Sequence, residues 1–159
     1  MRNFDSTDEK DDLVLDVYGE KLHCDSQILS WNSKIFRAMI KESEGSSEIC
    51  LKDSIPVEDL RELLHYLYSS CEPVNDHNFR ELLHWGHTFE VNYIVRLCHQ
   101  YMESLVLSRR ITKALRIEFF LLSWKYSVEH LKNIYASREV YVGPPNCMKK
   151  IVENVGIPG

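Results

Sequence analysis

Seven histidines and five cysteines are the residues here most able to do chemistry. His84 and His87 stand three apart, on one side of a helix, and Cys98-His99 follows on the next apolar stretch. Imidazole nitrogens and a thiolate brought together could hold a transition metal. No CxxC or HxxxH pair supports that reading, and Trp85-Gly86 between the histidines suits close helix packing. No metal or other cofactor is expected. A catalytic Ser or Cys would need a recognisable nucleophile turn beside its base, and no such signature is present. With six glycines scattered along the chain, there is no loop to cradle a phosphate. The residue types point to binding and away from enzymatic chemistry.

Any binding surface must be positioned by the elements around it, and the densest set lies between Asp12 and Met39, reading DLVLDVYGEKLHCDSQILSWNSKIFRAM. Leu13, Leu15 and Val17 alternate onto one face of a strand. Gly19-Glu20 suits a two-residue turn with the glycine first, where positive φ is needed. Lys21 to Cys24 returns as a second strand. Ile28, Leu29, Trp31, Ile35, Phe36 and Met39 then follow a helical period, broken near Asn32-Ser33 into two short helices. Lys41 to Ser47 reads as a loop and Glu48 to Leu51 as a third strand.

Pro56 opens the next helix, with Glu58 and Asp59 complementing its dipole and Val57, Leu60, Leu63, Leu64 and Leu67 as its apolar stripe. A helix from about Asp76 turns Phe79, Leu82, Leu83 and Phe89 inward, and Gly86 allows close approach. Asn92 can cap another, carrying Ile94, Leu97, Cys98, Tyr101 and Leu105. Beyond Ser108 the stripes are Ile111, Leu115, Phe119, Leu122 and then Leu131, Ile134, Tyr135. Gly143-Pro144-Pro145 stops the last helix.

At 159 residues and 44% hydrophobic content, one core is within reach. A net charge of -5 argues against a nucleic-acid surface, since Arg109-Arg110 and Lys149-Lys150 are pairs and not patches. The opening MRNFDSTDEKDD lacks the apolar centre of a secretory signal. The most apolar run, Ile117 to Trp124, is far too short to span a bilayer. An odd number of irregularly spaced cysteines suits a reducing compartment, cytoplasm or nucleus.

The order strand, tight turn, strand, helix, helix in residues 12–39, with IPVEDLRELLHYLYSS further on, resembles the BTB/POZ domain, a protein-interaction fold. LLSWKYSVEHLK resembles the helical extension of speckle-type (MATH-BTB) adaptors. The resemblance implies an α+β fold: a small three-stranded sheet flanked by a cluster of helices, followed by a helical extension. It divides the chain into an acidic, frayed start (1–11), a BTB/POZ domain (12–104), the extension (105–142) and a tail (143–159).

In such families the segment after the second helix often carries a hydrophobic residue, any residue, then Glu, and inserts beside a helix of a cullin-3-type scaffold. Ile40-Lys41-Glu42 matches that pattern, and Tyr93 is expected to flank the same groove. Dimers of this fold use apolar residues of the first helix, here Ile28 and Trp31. In zinc-finger-linked members an opening acid pairs with a base; Asp12 matches the acid, while Ser26, beside Asp25, stands at the basic position. Asp12 is therefore expected to lack a cationic partner, at a cost in free energy or with a raised pKa. Only Phe4 stands where speckle-type members carry an apolar helix that strengthens the dimer. The resemblance thus implies an adaptor of a cullin-3-type ubiquitin ligase that dimerises weakly or not at all, with no nucleic acid or membrane among its partners and a client the sequence does not name. The alternative is a non-ligase assembly protein that pairs with itself or another BTB protein.

Overall fold

The computed structural model describes residues 2–51, 54–68, 72–108 and 111–126. β1 (Leu13–Val17) pairs antiparallel with β2 (Glu20–Cys24) and parallel with β3 (Glu48–Cys50), giving the sheet order β2-β1-β3. Leu13, Leu15 and Val17 are buried, as their alternation demands. The hairpin turn is one residue earlier than expected. Val17 pairs with Glu20, so the loop is Tyr18-Gly19, with φ of 53° and 89°. Two successive positive φ values make the tightest loop that follows the strand twist, and this places glycine second. Asp16 Oδ1 accepts the Gly19 N–H at 2.8 Å and holds the turn.

A parallel partner for β1 requires a crossover, which is supplied by α1 (Ser26–Asn32) and α2 (Lys34–Glu42). Asp25 caps α1 by accepting from the Gln27 and Ile28 N–H groups. Ser33 then ends α1 and caps α2. Lys41 and Glu42, expected in a loop, form the last turn of α2. The helix persists because its backbone bonds run on to Ser43, and the chain reverses only at Glu44 and Gly45, both at positive φ.

α3 (Val57–Tyr68) and α4 (Phe79–Thr88) follow. They are tied by Trp85 Nε1, which donates to Asp59 Oδ2 at 2.9 Å, and by Asn78 Nδ2, which donates to the Tyr66 hydroxyl at 3.1 Å. The expected inward residues Phe79, Leu82, Leu83 and Phe89 are all buried, as are Leu60, Leu63 and Leu64. α5 (Asn92–Leu107) starts at Asn92 itself, with the Val91 carbonyl accepting the first helical bond. Its buried row is Ile94, Cys98, Met102 and Val106, spaced by four, while Leu97, Tyr101 and Leu105 are half-buried. The sequence stripe pointed one position off because both flanks of this row are apolar. Gly86 is where α4 meets α5: a Cβ there would lie 3.1 Å from Val95 Cγ2 and 3.3 Å from Ile94 Cγ2.

The chain divides into two compact units, Met1–Cys98 and His99 onward. In the second, Thr112 Oγ1 caps α6 (Lys113–Lys125), and Met102, Val106, Ile111, Phe119 and Ser123 are buried. Leu115 and Leu122 are half-buried. The expected stripe Leu131, Ile134, Tyr135 and the tail from 143 lie outside the described residues.

Within residues 2–11, expected to fray, residues 5–10 are exposed, but Arg2, Phe4 and Asp11 are held against the domain. Phe4 is 1% exposed, and its carbonyl accepts the His23 N–H of β2 at 2.8 Å. One aromatic side chain with a waiting cleft outweighs the polar composition around it.

Candidate functional site

The surface built by α2 and the α4–α5 corner holds the residues marked for scaffold binding. Its anchor is Ser33, buried at the break between α1 and α2. The Ser33 hydroxyl donates to the Phe89 carbonyl and accepts the Phe36 N–H at 3.0 Å. Phe36 stacks on Phe89 with centroids 4.7 Å apart and 13° between planes. Lys34 Nζ lies 3.8 Å from Glu90 Oε2 at the rim, an exposed pair worth little by itself.

The corner is a left-handed helix stop. Glu90 N–H donates to the His87 carbonyl at 3.1 Å and Val91 N–H to the Gly86 carbonyl at 2.7 Å, with Glu90 at φ 49°. These are the paired bonds of a Schellman ending, with a glutamate where glycine is usual. Two residues beyond Val91, Tyr93 starts the exposed side of α5. It is half-buried, and the Arg96 guanidinium lies 5.9 Å from its ring centroid.

From this anchor α2 runs outward for two turns, so Ile40 lies about 10 Å along the axis from Ser33 at the standard rise per residue. Ile40 is half-buried; Lys41 and Glu42 are exposed. An apolar side chain with a free carboxylate two residues on is presented by a rigid helix end. That arrangement can receive the apolar edge of a partner helix and orient it through charge. Ser43 Oγ donates to the Ile40 carbonyl at 2.7 Å and closes the turn.

The dimer candidates fall on α1 and the start of β1. Trp31 is 74% exposed and Ile28 half-buried, so the first does not pack inward. For Asp12 the expected cost and raised pKa are corrected. The side chain is exposed and accepts from both the backbone N–H and the hydroxyl of Ser26, each at 2.7 Å. Desolvation raises its pKa, but the side-chain and backbone bonds from Ser26 outweigh it and the net shift is downward. Ser26, standing where the resemblance places a base, thus serves the acid within one chain.

Among the described residues no group of three His, Cys, Asp or Glu side chains could hold a metal ion. Burial pushes the Cys98 thiol up to about 12, so it stays protonated and is a poor nucleophile or ligand at neutral pH. His84 and Trp85 instead stack edge to face at 4.5 Å. Cys24, Cys50 and Cys98 are free thiols. No helix among the described residues is long and apolar enough to cross a membrane.

The N-terminal cluster was missed by sequence reading. Arg2 lies over the Tyr68 ring at 4.5 Å and pairs with Asp8 and Asp11, and Phe4 sits edge-on to His65 and Tyr68 at 5.1 and 5.2 Å. Its signal was a lone Phe two residues after an Arg.

A three-stranded sheet with a helical crossover, carrying an exposed Trp31 and an exposed end of α2, has the layout of a protein-interaction module. The comparisons agree. The BTB/POZ domain model matches residues 2–105, and the chain belongs to the BTB/POZ domain family. It is 29% identical over 126 residues to BTB and MATH domain-containing protein 38 of Caenorhabditis elegans, covering 77% of this chain and 32% of that protein. It is 27% identical to Kelch-like protein 40 of Xenopus laevis over 58% of this chain and 15% of that protein. The chain therefore spans a third or less of these relatives' lengths. The BTB domain of human gigaxonin superposes with a TM-score of 0.51 at 22% identity, over 58% of this chain and 77% of that one, which is a likeness of fold.

Proposed function

We propose that this chain is the docking part of a substrate adaptor for a cullin-3-type ubiquitin ligase, working in the cytoplasm or nucleus. The observation that carries this reading is the C-terminal turn of α2, where Ile40 is half-buried and Lys41 and Glu42 are exposed on a helix fixed to the α4–α5 corner through Ser33. The scaffold would set an apolar helix edge on Ile40, with Glu42 orienting it and Tyr93 bounding the groove. The chain's contribution is placement; a captured client would be held near the ligase's catalytic parts.

The test is a calorimetric titration with the N-terminal domain of a cullin-3, for the wild type and for Ile40→Asp with Glu42→Lys. Sub-micromolar binding is expected for the wild type. Loss of an interface anchor with its charge should weaken it by more than about a hundredfold, the effect of removing a hot spot. A well-folded wild type that binds no scaffold would defeat the proposal.

A second reading is favoured by Trp31, 74% exposed on α1 beside half-buried Ile28. Exposed tryptophan is a common interface anchor. In this reading the chain is a BTB assembly protein, pairing with itself or a related chain through α1. Sedimentation of the wild type and of Trp31→Glu decides it: a wild-type dimer lost in the variant supports pairing, and a wild-type monomer at high concentration opposes homodimerisation.

A further inference from the structure

The free edge of β2 is occupied by the chain's own beginning, in the manner of a bound peptide. In the hairpin, Val14 and Asp16 turn backbone groups toward β3, and His23 and Lys21 opposite them face the other way. On that outer side the His23 N–H donates to the Phe4 carbonyl at 2.8 Å, while Arg2 reaches the His23 carbonyl at 3.5 Å. Thr7 Oγ1 lies 3.3 Å from His23 Nδ1. The N–H of one edge residue is thus met by a main-chain carbonyl of a segment turning alongside it, and its carbonyl by that segment's arginine side chain.

Side chains supply the selectivity. Phe4 fills a cleft against the His65 and Tyr68 rings of α3, both edge-on. Arg2 lies over the Tyr68 ring and within reach of Asp8 and Asp11. Asp5 takes the Arg61 guanidinium at 2.6 Å, a group that also holds Glu20 at 3.2 Å. Cation, any residue, aromatic, acid: each specified position of residues 2–5 has its own receptor on the domain. Between this segment and β1 the chain makes an exposed turn, with Asp11 N–H donating to the Asp8 carbonyl.

We propose that the cleft between the β2 edge and α3 is a peptide-binding site, occupied in cis by residues 2–5, and that it accepts a segment of a partner carrying the same Arg-x-Phe-Asp chemistry in the same turn. The cis segment enters at high effective concentration, so it acts as a built-in competitor that a partner must displace. The site lies on β2 and α3, not on the end of α2, and stands independently of the scaffold reading.

The test uses the full chain with a protease site placed in the exposed turn at Glu9-Lys10, and a fluorescent peptide of residues 1–9 as probe. After cutting, the chain should take up the labelled peptide, and a Phe4→Ala peptide should bind more than about tenfold more weakly. The uncut chain should bind the peptide more than about a hundredfold more weakly than the cut one. Full-length Phe4→Ala, which needs no cut, should take up the wild-type peptide more readily than the uncut wild type. Equal binding of the two peptides would overturn the proposal, as would failure of both the cut chain and full-length Phe4→Ala to bind any. A dimer of the intact chain that Phe4→Ala abolishes would replace the partner peptide with a second copy's own arm.

Discussion

Phe4 and Trp31 stand on opposite terms with their surroundings. Phe4 comes from a polar, charged segment and is 1% exposed; Trp31 comes from an apolar helical pattern and is 74% exposed. Phe4 has two ring partners and a main-chain bond to β2, whereas only Leu29 of α1 is fully buried and Trp31 stands outside the core. Sequence neighbours set how apolar a segment is, but the partner surface waiting in three dimensions sets which of its side chains is covered. The β2 edge is a finished surface, and the α1–α2 side is an open one.

That contrast can be broken or sharpened by substitution. The largest effect is expected at the shared anchor: Phe36→Ala removes a fully buried ring stacked on Phe89 and should cost about 3–5 kcal/mol in denaturant unfolding. Phe4→Ala should cost about 2 kcal/mol, the worth of one buried aromatic, because the arm can detach without the core opening. Hydrogen exchange at His23 N–H should rise with it, since that group loses its acceptor. Glu90→Gly relieves a left-handed glutamate and should stabilise by about 1 kcal/mol, despite the loss of the exposed Lys34 pair. Trp31→Ala should change stability by no more than about 0.5 kcal/mol, as for other surface changes, while altering association if α1 is an interface. A Trp31→Ala loss as large as that of Phe4→Ala would erase the distinction between the two regions.

Acid should act on the closed side first. Burial holds the His65 pKa below its ordinary 6.5, with Glu72 opposing and Arg61 adding to the shift. The unfolded chain then binds more protons than the folded one, so stability rises with pH across this range. The contribution is fully present above pH 6.5 and is lost as pH falls through the lower folded value. His87, also depressed by burial, adds in the same sense. Glu62 works the other way at lower pH, because burial raises its pKa above 4.5. Unfolding midpoints measured between pH 8 and 5 should fall only below about pH 6.5, the histidine range.

Much of this was legible from the chain. Alternation gave β1, the change of period gave α1 and α2, and Ser33 marked their break. The family resemblance implied three strands, but the sheet order and the parallel β1–β3 pairing came from the structure alone, since three residues of β3 carry little pattern of their own. Ile40, Lys41 and Glu42 were marked by motif, but the place of Lys41 and Glu42 in a helix was not foreseen, because Gly45 suggested an earlier stop than the backbone takes. Asp12 was read as lacking a cationic partner and therefore as strained, because only charge was sought and a hydroxyl with a backbone N–H serves instead. The Phe4 cleft was invisible for a similar reason: His65 and Tyr68 lie on the flank of an α3 stripe whose leucines account for its period.

The most direct measurement is hydrogen exchange of the whole chain with and without the N-terminal domain of a cullin-3. Protection confined to the end of α2, residues 39–43, and the start of α5 around Tyr93 is the predicted result. Protection centred on Trp31 or on the β2 edge, with the end of α2 unchanged, would contradict the account.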